Sequence, residues 1–85
     1  MAYDPAIYRD GAQVRIADRT TLDEFRRSWK LHHPLQRAQL KYAGRLAKVA
    51  RSFMYHGGDV LYDLKGIPGL WHEQLLEAGA DSNQE

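Results

Sequence analysis

Four histidines, a few carboxylates, three serines and one glycine pair are the groups in this chain whose spacing decides what chemistry is open to it. The histidines are His32, His33, His56 and His72, the last followed by Glu73. Imidazole suits zinc or nickel, and such a site needs three or four ligands converging on one point. No pair here stands at i, i+4 on an expected helix, and adjacent His32 and His33 are poorly placed to chelate one ion together. The spacing follows no ligand pattern, so no metal site is expected. The plain reading is surface or turn histidines, with His56 and His72 bonding turn backbone near Gly57 and Pro68.

Catalysis has as little to build on. Ser28, Ser52 and Ser82 sit in no nucleophile-elbow context, and the chain has no cysteine. Asp59, Asp63 and Glu73 could approach one another on a sheet, but alternating solvent-facing acids are ordinary on strands. Gly57-Gly58 lacks the Lys-Ser/Thr and helix of a phosphate loop. A chain of 85 residues seldom encloses a deep pocket alone. The expectation is a non-enzymatic protein with no catalytic residue and no cofactor.

Charge is more informative. The net charge is +1, yet every charged residue from Arg26 to Arg51 is basic. These are Arg26, Arg27, Lys30, Arg37, Lys41, Arg45, Lys48 and Arg51, and the flanking segments are net acidic. A cationic face for nucleic acid or for an acidic partner would look like this. So would a basic middle packed beside the protein's own acidic C-terminal third. The pI of about 8.1 lies below the range of dedicated nucleic-acid binders.

The elements that must position these groups read as mainly β. Residues 56–76 are the anchor. Val60, Tyr62 and Leu64 alternate with Leu61, Asp63 and Lys65, the period of a half-buried strand. Gly57-Gly58 before this run suits a tight hairpin turn. Residues 66–69 suit a second turn, with Pro68 and Gly69 as its central pair. Leu70 to Leu76 then fits a short strand, although Glu73-Gln74-Leu75-Leu76 could close as a helical turn. Upstream, Ala12, Val14 and Ile16 alternate with Gln13 and Arg15 in a first strand within residues 11–17. Thr21 and Glu24 fit a capping box. Leu22, Phe25 and Trp29 fall on one helical face, and Pro34 blocks continuation, so a helix is expected over 22–31. Its Phe25 and Trp29 would plug one end of a small barrel.

Residues 36–55 carry two patterns. As a helix, Leu40, Ala43, Ala47, Ala50 and Met54 share a face opposite Arg37, Lys41, Arg45 and Lys48. As a strand, Ala47, Val49, Phe53 and Tyr55 line one side. The local pattern alone narrowly favours the helix; hairpin logic, with the family resemblance given below, favours a strand over 45–56. Residues 1–10 read as an irregular arm pinned by its tyrosines, residues 11–78 as one domain, and residues 79–85 as a disordered tail. No apolar run approaches a membrane span and the start has no signal-peptide core, so a soluble, cytoplasmic protein is expected.

The order of these parts resembles a known family. Gly11-x-x-Val14-Arg15-Ile16 opens a strand. His33-Pro34-Leu35 leads to Tyr42-Ala43-Gly44-Arg45-x-Ala47-x-Val49. Leu61-Tyr62-Asp63-Leu64 and Leu70-Trp71-His72-Glu73 close the chain. Over residues 11–76 this resembles the small SH3-like barrel module of the nitrile hydratase β subunit and its accessory proteins. The His-to-Pro spacing is tighter here, and the chain after Trp71 differs. In that enzyme the metal-binding cysteines belong to the other subunit. The resemblance implies an SH3-like barrel of about five strands with one short inserted helix, and a partner-binding habit, but not hydratase activity.

On this reading the chain is a protein-interaction module, an accessory or assembly factor. The expected partner surface is Tyr42, Tyr55 and Trp71 with Arg45 and Arg51, since aromatic and arginine side chains dominate interfaces. The alternative is nucleic-acid binding through Arg37, Lys41, Arg45, Lys48 and Arg51. On a strand Lys48 would face away from Arg45 and Arg51 and split a phosphate-tracking stripe. A weaker alternative is a subunit or activator of a nitrile hydratase-like enzyme. Monomer and homodimer both remain open, because an exposed strand edge can pair with a second copy.

Overall fold

The computed structural model describes residues 7–55 and 59–79. The fold is mainly β: five antiparallel strands in one sheet, with one α-helix and two short 3-10 helices. In chain order these are β1 (Gln13–Ile16), α1 (Arg19–Ser28), a first 3-10 helix (Arg37–Tyr42), β2 (Leu46–Met54), β3 (Val60–Leu64), β4 (Ile67–His72), a second 3-10 helix (Glu73–Leu75) and β5 (Leu76–Ala78). The sheet order is β4-β3-β2-β1-β5, consistent with a small barrel-like β fold.

β2 makes this sheet from two halves. Its first residues pair with β1, Lys48 opposite Gln13 and Leu46 opposite Arg15. Its later residues pair with β3, Val49 opposite Leu64 through Met54 opposite Val60. The register shifts between Val49 and Arg51, and such a bulge bends a strand and increases its twist. One long strand can therefore serve both halves around a shared core. Val14, Ile16, Leu22, Val49, Tyr62, Leu64, Trp71 and Leu75 are all buried there. Val60, Leu61, Tyr62 and Leu64 are all buried, so β3 is covered on both faces rather than half-buried.

The expected helix exists but lies three residues earlier. Asp18, not Thr21, caps it: an Asp18 carboxylate oxygen accepts from the Thr21 amide at 2.8 Å. It ends at Ser28, well before Pro34, where Trp29 leaves the helix and its indole donates to the His32 carbonyl at 2.7 Å. The face prediction holds. Leu22 and Phe25 are buried, and Trp29 stacks on Phe25 with ring centroids 5.1 Å apart.

Residues 36–55 divide between their two patterns. The first part is the 3-10 helix, and the strand begins at Leu46. The turn expected at 66–69 is corrected. Lys65-Gly66 closes the hairpin, with Gly66 at φ +75°, and Ile67 already pairs with Leu64. Pro68 and Gly69 are the extra residues of a bulge, since Asp63 pairs with Leu70. A bulge tolerates proline because no ladder donor is needed there. After β4 the helical alternative is realised, as the second 3-10 helix, before β5.

The arm is pinned as expected where it is described. Tyr8 meets Tyr62 edge-on with centroids 5.5 Å apart, and its hydroxyl donates to the Leu76 carbonyl at 3.2 Å. Tyr3 and Pro5, the Gly57-Gly58 turn with His56, and the expected tail from residue 80 onward lie outside the described residues. No helix among the described residues is long and apolar enough to cross a membrane.

Candidate binding surface

α1 and the first 3-10 helix lie side by side, and the sequence of each places cations on the facing sides. Arg19, Asp23 and Arg26 fall at i, i+4 and i+7, one stripe of an α-helix. Arg37, Leu40 and Lys41 fall at i, i+3 and i+4 of the 3-10 helix. Together they line a cleft of about 400 Å³. Leu40 is buried and forms part of the cleft wall. Asp23 is the single carboxylate, and it is engaged: Arg19 Nε donates to both its oxygens at 3.2 and 3.3 Å. Arg26, Arg37 and Lys41 have no ion-pair partner among the described residues.

The first 3-10 helix is held in place by Gln39, a buried polar side chain. Its amide oxygen accepts from the Gln36 backbone at 2.8 Å, and its amide nitrogen donates to the Leu70 carbonyl at 3.1 Å. One side chain thus caps the helix that carries Arg37 and Lys41 and ties it to β4.

The surface expected from sequence is only partly assembled. Trp71 is fully buried, its indole N–H has no hydrogen-bond partner among the described residues, and its ring meets Tyr42 edge-on at 6.5 Å. It is a core residue and offers no partner contact. The reason is its place on β4 beside the buried Tyr62 of β3. Tyr42 is half-buried, with Lys41 Nζ and the Arg45 guanidinium each over its ring, at 5.4 and 5.3 Å. Tyr55 lies elsewhere, stacked on His32 at 4.0 Å. Arg51 pairs across the strands with Asp63 at 3.6 Å and covers Phe53. Lys48 is exposed on β2 opposite Gln13. Of the five cations proposed for nucleic acid, the structure brings Arg37 and Lys41 into the cleft and sends Lys48 and Arg51 to the sheet.

Arg19, Asp23 and Leu40 do not stand out as site residues in the sequence, and Arg26 stands out only as the first of the basic run 26–51. The i, i+4, i+7 spacing was present, but an expected helix start at residue 22 left Arg19 outside it.

His32 lies beside both His33 and His72, with ring centroids 5.7 and 5.9 Å apart; His33 is exposed, and His56 lies outside the described residues. His72 is buried, against the turn-histidine expectation, and its Nε2–H donates to the His33 carbonyl, with nitrogen and oxygen 2.9 Å apart. The His33 backbone reaches that position at φ +49°, in the left-handed region. Phe25 and Trp29 each lie 4.8 Å from the His72 ring. Burial pushes the His72 pKa down, opposed by the His33 carbonyl and Asp59 and assisted by His32 and His33. His32 Nε2 lies 2.8 Å from an Asp59 oxygen, though off the hydrogen-bond direction. Among the described residues no group of three or more histidine or carboxylate side chains is arranged to hold a metal ion.

The carboxylates have separate partners. Asp63 faces Arg51, Asp59 faces His32, and Glu73 accepts a short hydrogen bond from the Tyr62 hydroxyl. Asp59 and Glu73 nevertheless line one small pocket of about 160 Å³ together with His72, while Asp63 stands apart beside Arg51. In comparisons with known proteins, no family model, curated sequence or solved structure matches this chain.

Proposed function

We propose that this chain is a non-enzymatic interaction module that takes an acidic segment of a protein partner in the cleft between α1 and the first 3-10 helix. The carrying observation is the composition of that cleft: four cations, one leucine and one carboxylate already held by Arg19. Unneutralised charges on two packed elements repel one another in the free protein, and an anionic partner removes that repulsion. Such complementarity raises association rate and selects partners. The buried Gln39 strap supports a preformed site, because it fixes the element carrying Arg37 and Lys41. The resemblance to an SH3-like barrel supports the accessory-factor role, since that fold often serves as a binding module.

A nucleic-acid role is the less supported reading. A phosphate-tracking surface needs cations along a continuous path, and Arg51 here lies beside Asp63 while Arg45 covers Tyr42. The hydratase-subunit reading has only the resemblance behind it.

The test is fluorescence anisotropy with a labelled Glu-rich peptide and a labelled single-stranded oligonucleotide. The peptide should bind saturably, and Arg37→Glu should weaken it by about tenfold or more. Arg51→Glu should change little. Preferential oligonucleotide binding, weakened as much by Arg51→Glu as by Arg37→Glu, would contradict the proposal.

A further inference from the structure

Resting on that reading, we infer that the cleft is selective for a phosphorylated side chain on the acidic partner segment. Charge and acceptor count both favour such a group. Arg19, Arg26, Arg37 and Lys41 against Asp23 leave three positive charges in excess around about 400 Å³. Asp23 takes the Arg19 Nε hydrogen, so it does not neutralise the opposite wall. A single carboxylate brings one negative charge and two acceptor atoms. A phosphomonoester brings about −1.5 to −2 and three acceptor oxygens on one centre. It can therefore accept from both walls at once, from Arg26 on α1 and from Arg37 and Lys41 on the 3-10 helix.

The residue types fit this ligand. Guanidinium is a planar fork that binds phosphate oxygens bidentately, and lysine adds a point charge. Clustered arginines are a recurrent means of reading phosphorylated segments. Leu40 gives the cleft an apolar patch on the same wall as Arg37 and Lys41, against which the carbon part of the modified side chain can rest. Both cation sets sit on regular elements, and the one carrying Arg37 and Lys41 is tied to the sheet by Gln39, so little ordering is left for binding.

The experiment uses the full chain and one short Glu-containing peptide in three forms, with serine, phosphoserine or glutamate at its centre. Affinities are read by isothermal titration calorimetry. The phosphoserine form should bind about tenfold more tightly than the glutamate form, the equivalent of one added charge-assisted hydrogen bond. Arg37→Gln and, on the other wall, Arg26→Gln should each remove that advantage while thermal melts stay unchanged. Equal affinity for the phosphoserine and glutamate forms overturns the phosphate inference and leaves the acidic-partner reading standing. Failure of all three forms to bind overturns both. A phosphoserine advantage that survives Arg37→Gln and Arg26→Gln places the site elsewhere and overturns the inference.

Discussion

The amide nitrogen of Gln39 stands 2.7 Å from where a Cβ on Gly69 would be. The first 3-10 helix can approach β4 this closely because residue 69 has no side chain. Gly69 also sits at φ +91°, where an L side chain is strained. Gly69→Ala should therefore cost about 2 kcal/mol or more, combining backbone strain with loss of a buried hydrogen bond. Gly66 provides the control, because its φ is +75° but nothing lies within 4 Å of its missing Cβ. Urea unfolding should find Gly69→Ala clearly less stable than Gly66→Ala. Equal losses would mean that the Gln39 contact contributes nothing.

Tyr62 holds the N-terminal segment to the sheet. Its hydroxyl donates to Glu73 and lies 3.1 Å from the Ile7 amide and 3.3 Å from the Tyr8 amide, which donate to it. Burial first, then Glu73, pushes the Tyr62 pKa up to about 12. Tyr62→Phe keeps the ring and removes this junction, so it should lower stability by about 1–3 kcal/mol. Amide hydrogen exchange at Ile7 and Tyr8 should accelerate more than exchange in β2. Unchanged exchange at those two residues would show that the phenol does not hold the segment.

Acid should weaken the fold through His72. Its folded pKa is lowered, chiefly by burial, whereas the unfolded histidine titrates near 6.5. The unfolded chain then binds the proton more readily as pH drops. The contribution to stability is complete above the unfolded value and is lost as pH falls through the folded one. The urea midpoint should decline as pH falls below the unfolded value of about 6.5. His72→Gln should flatten that decline. A midpoint equally pH-dependent in His72→Gln would assign the effect to other groups.

Periodicity made β1, β3 and the buried face of α1 legible, because each shows a repeat within one element, whereas β2 followed from hairpin logic and the resemblance, its own pattern favouring a helix. Val60, Tyr62 and Leu64 announced β3, and Leu22 and Phe25 announced the helix face. What escaped were choices settled between elements. Gly66 and Gly69 are equally good turn residues locally, and the pairing of Ile67 with Leu64 decides that Gly66 closes the hairpin. His72 looks like a turn histidine until Phe25 and Trp29 pack on it. The cleft was half visible: Arg37 and Lys41 stood out as cations, while Arg19 and Arg26 needed the Asp18 cap to set the helix phase.

On the proposed function the cleft, not the β2 surface, receives an acidic partner segment. The direct measurement is a titration of the isotope-labelled protein with a Glu-rich peptide, followed by amide chemical shifts. Shifts should concentrate in Arg19–Ser28 and Arg37–Tyr42, and Arg37→Glu should abolish them. Shifts concentrated in Leu46–Met54, around Lys48 and Arg51, and retained in Arg37→Glu, would contradict it.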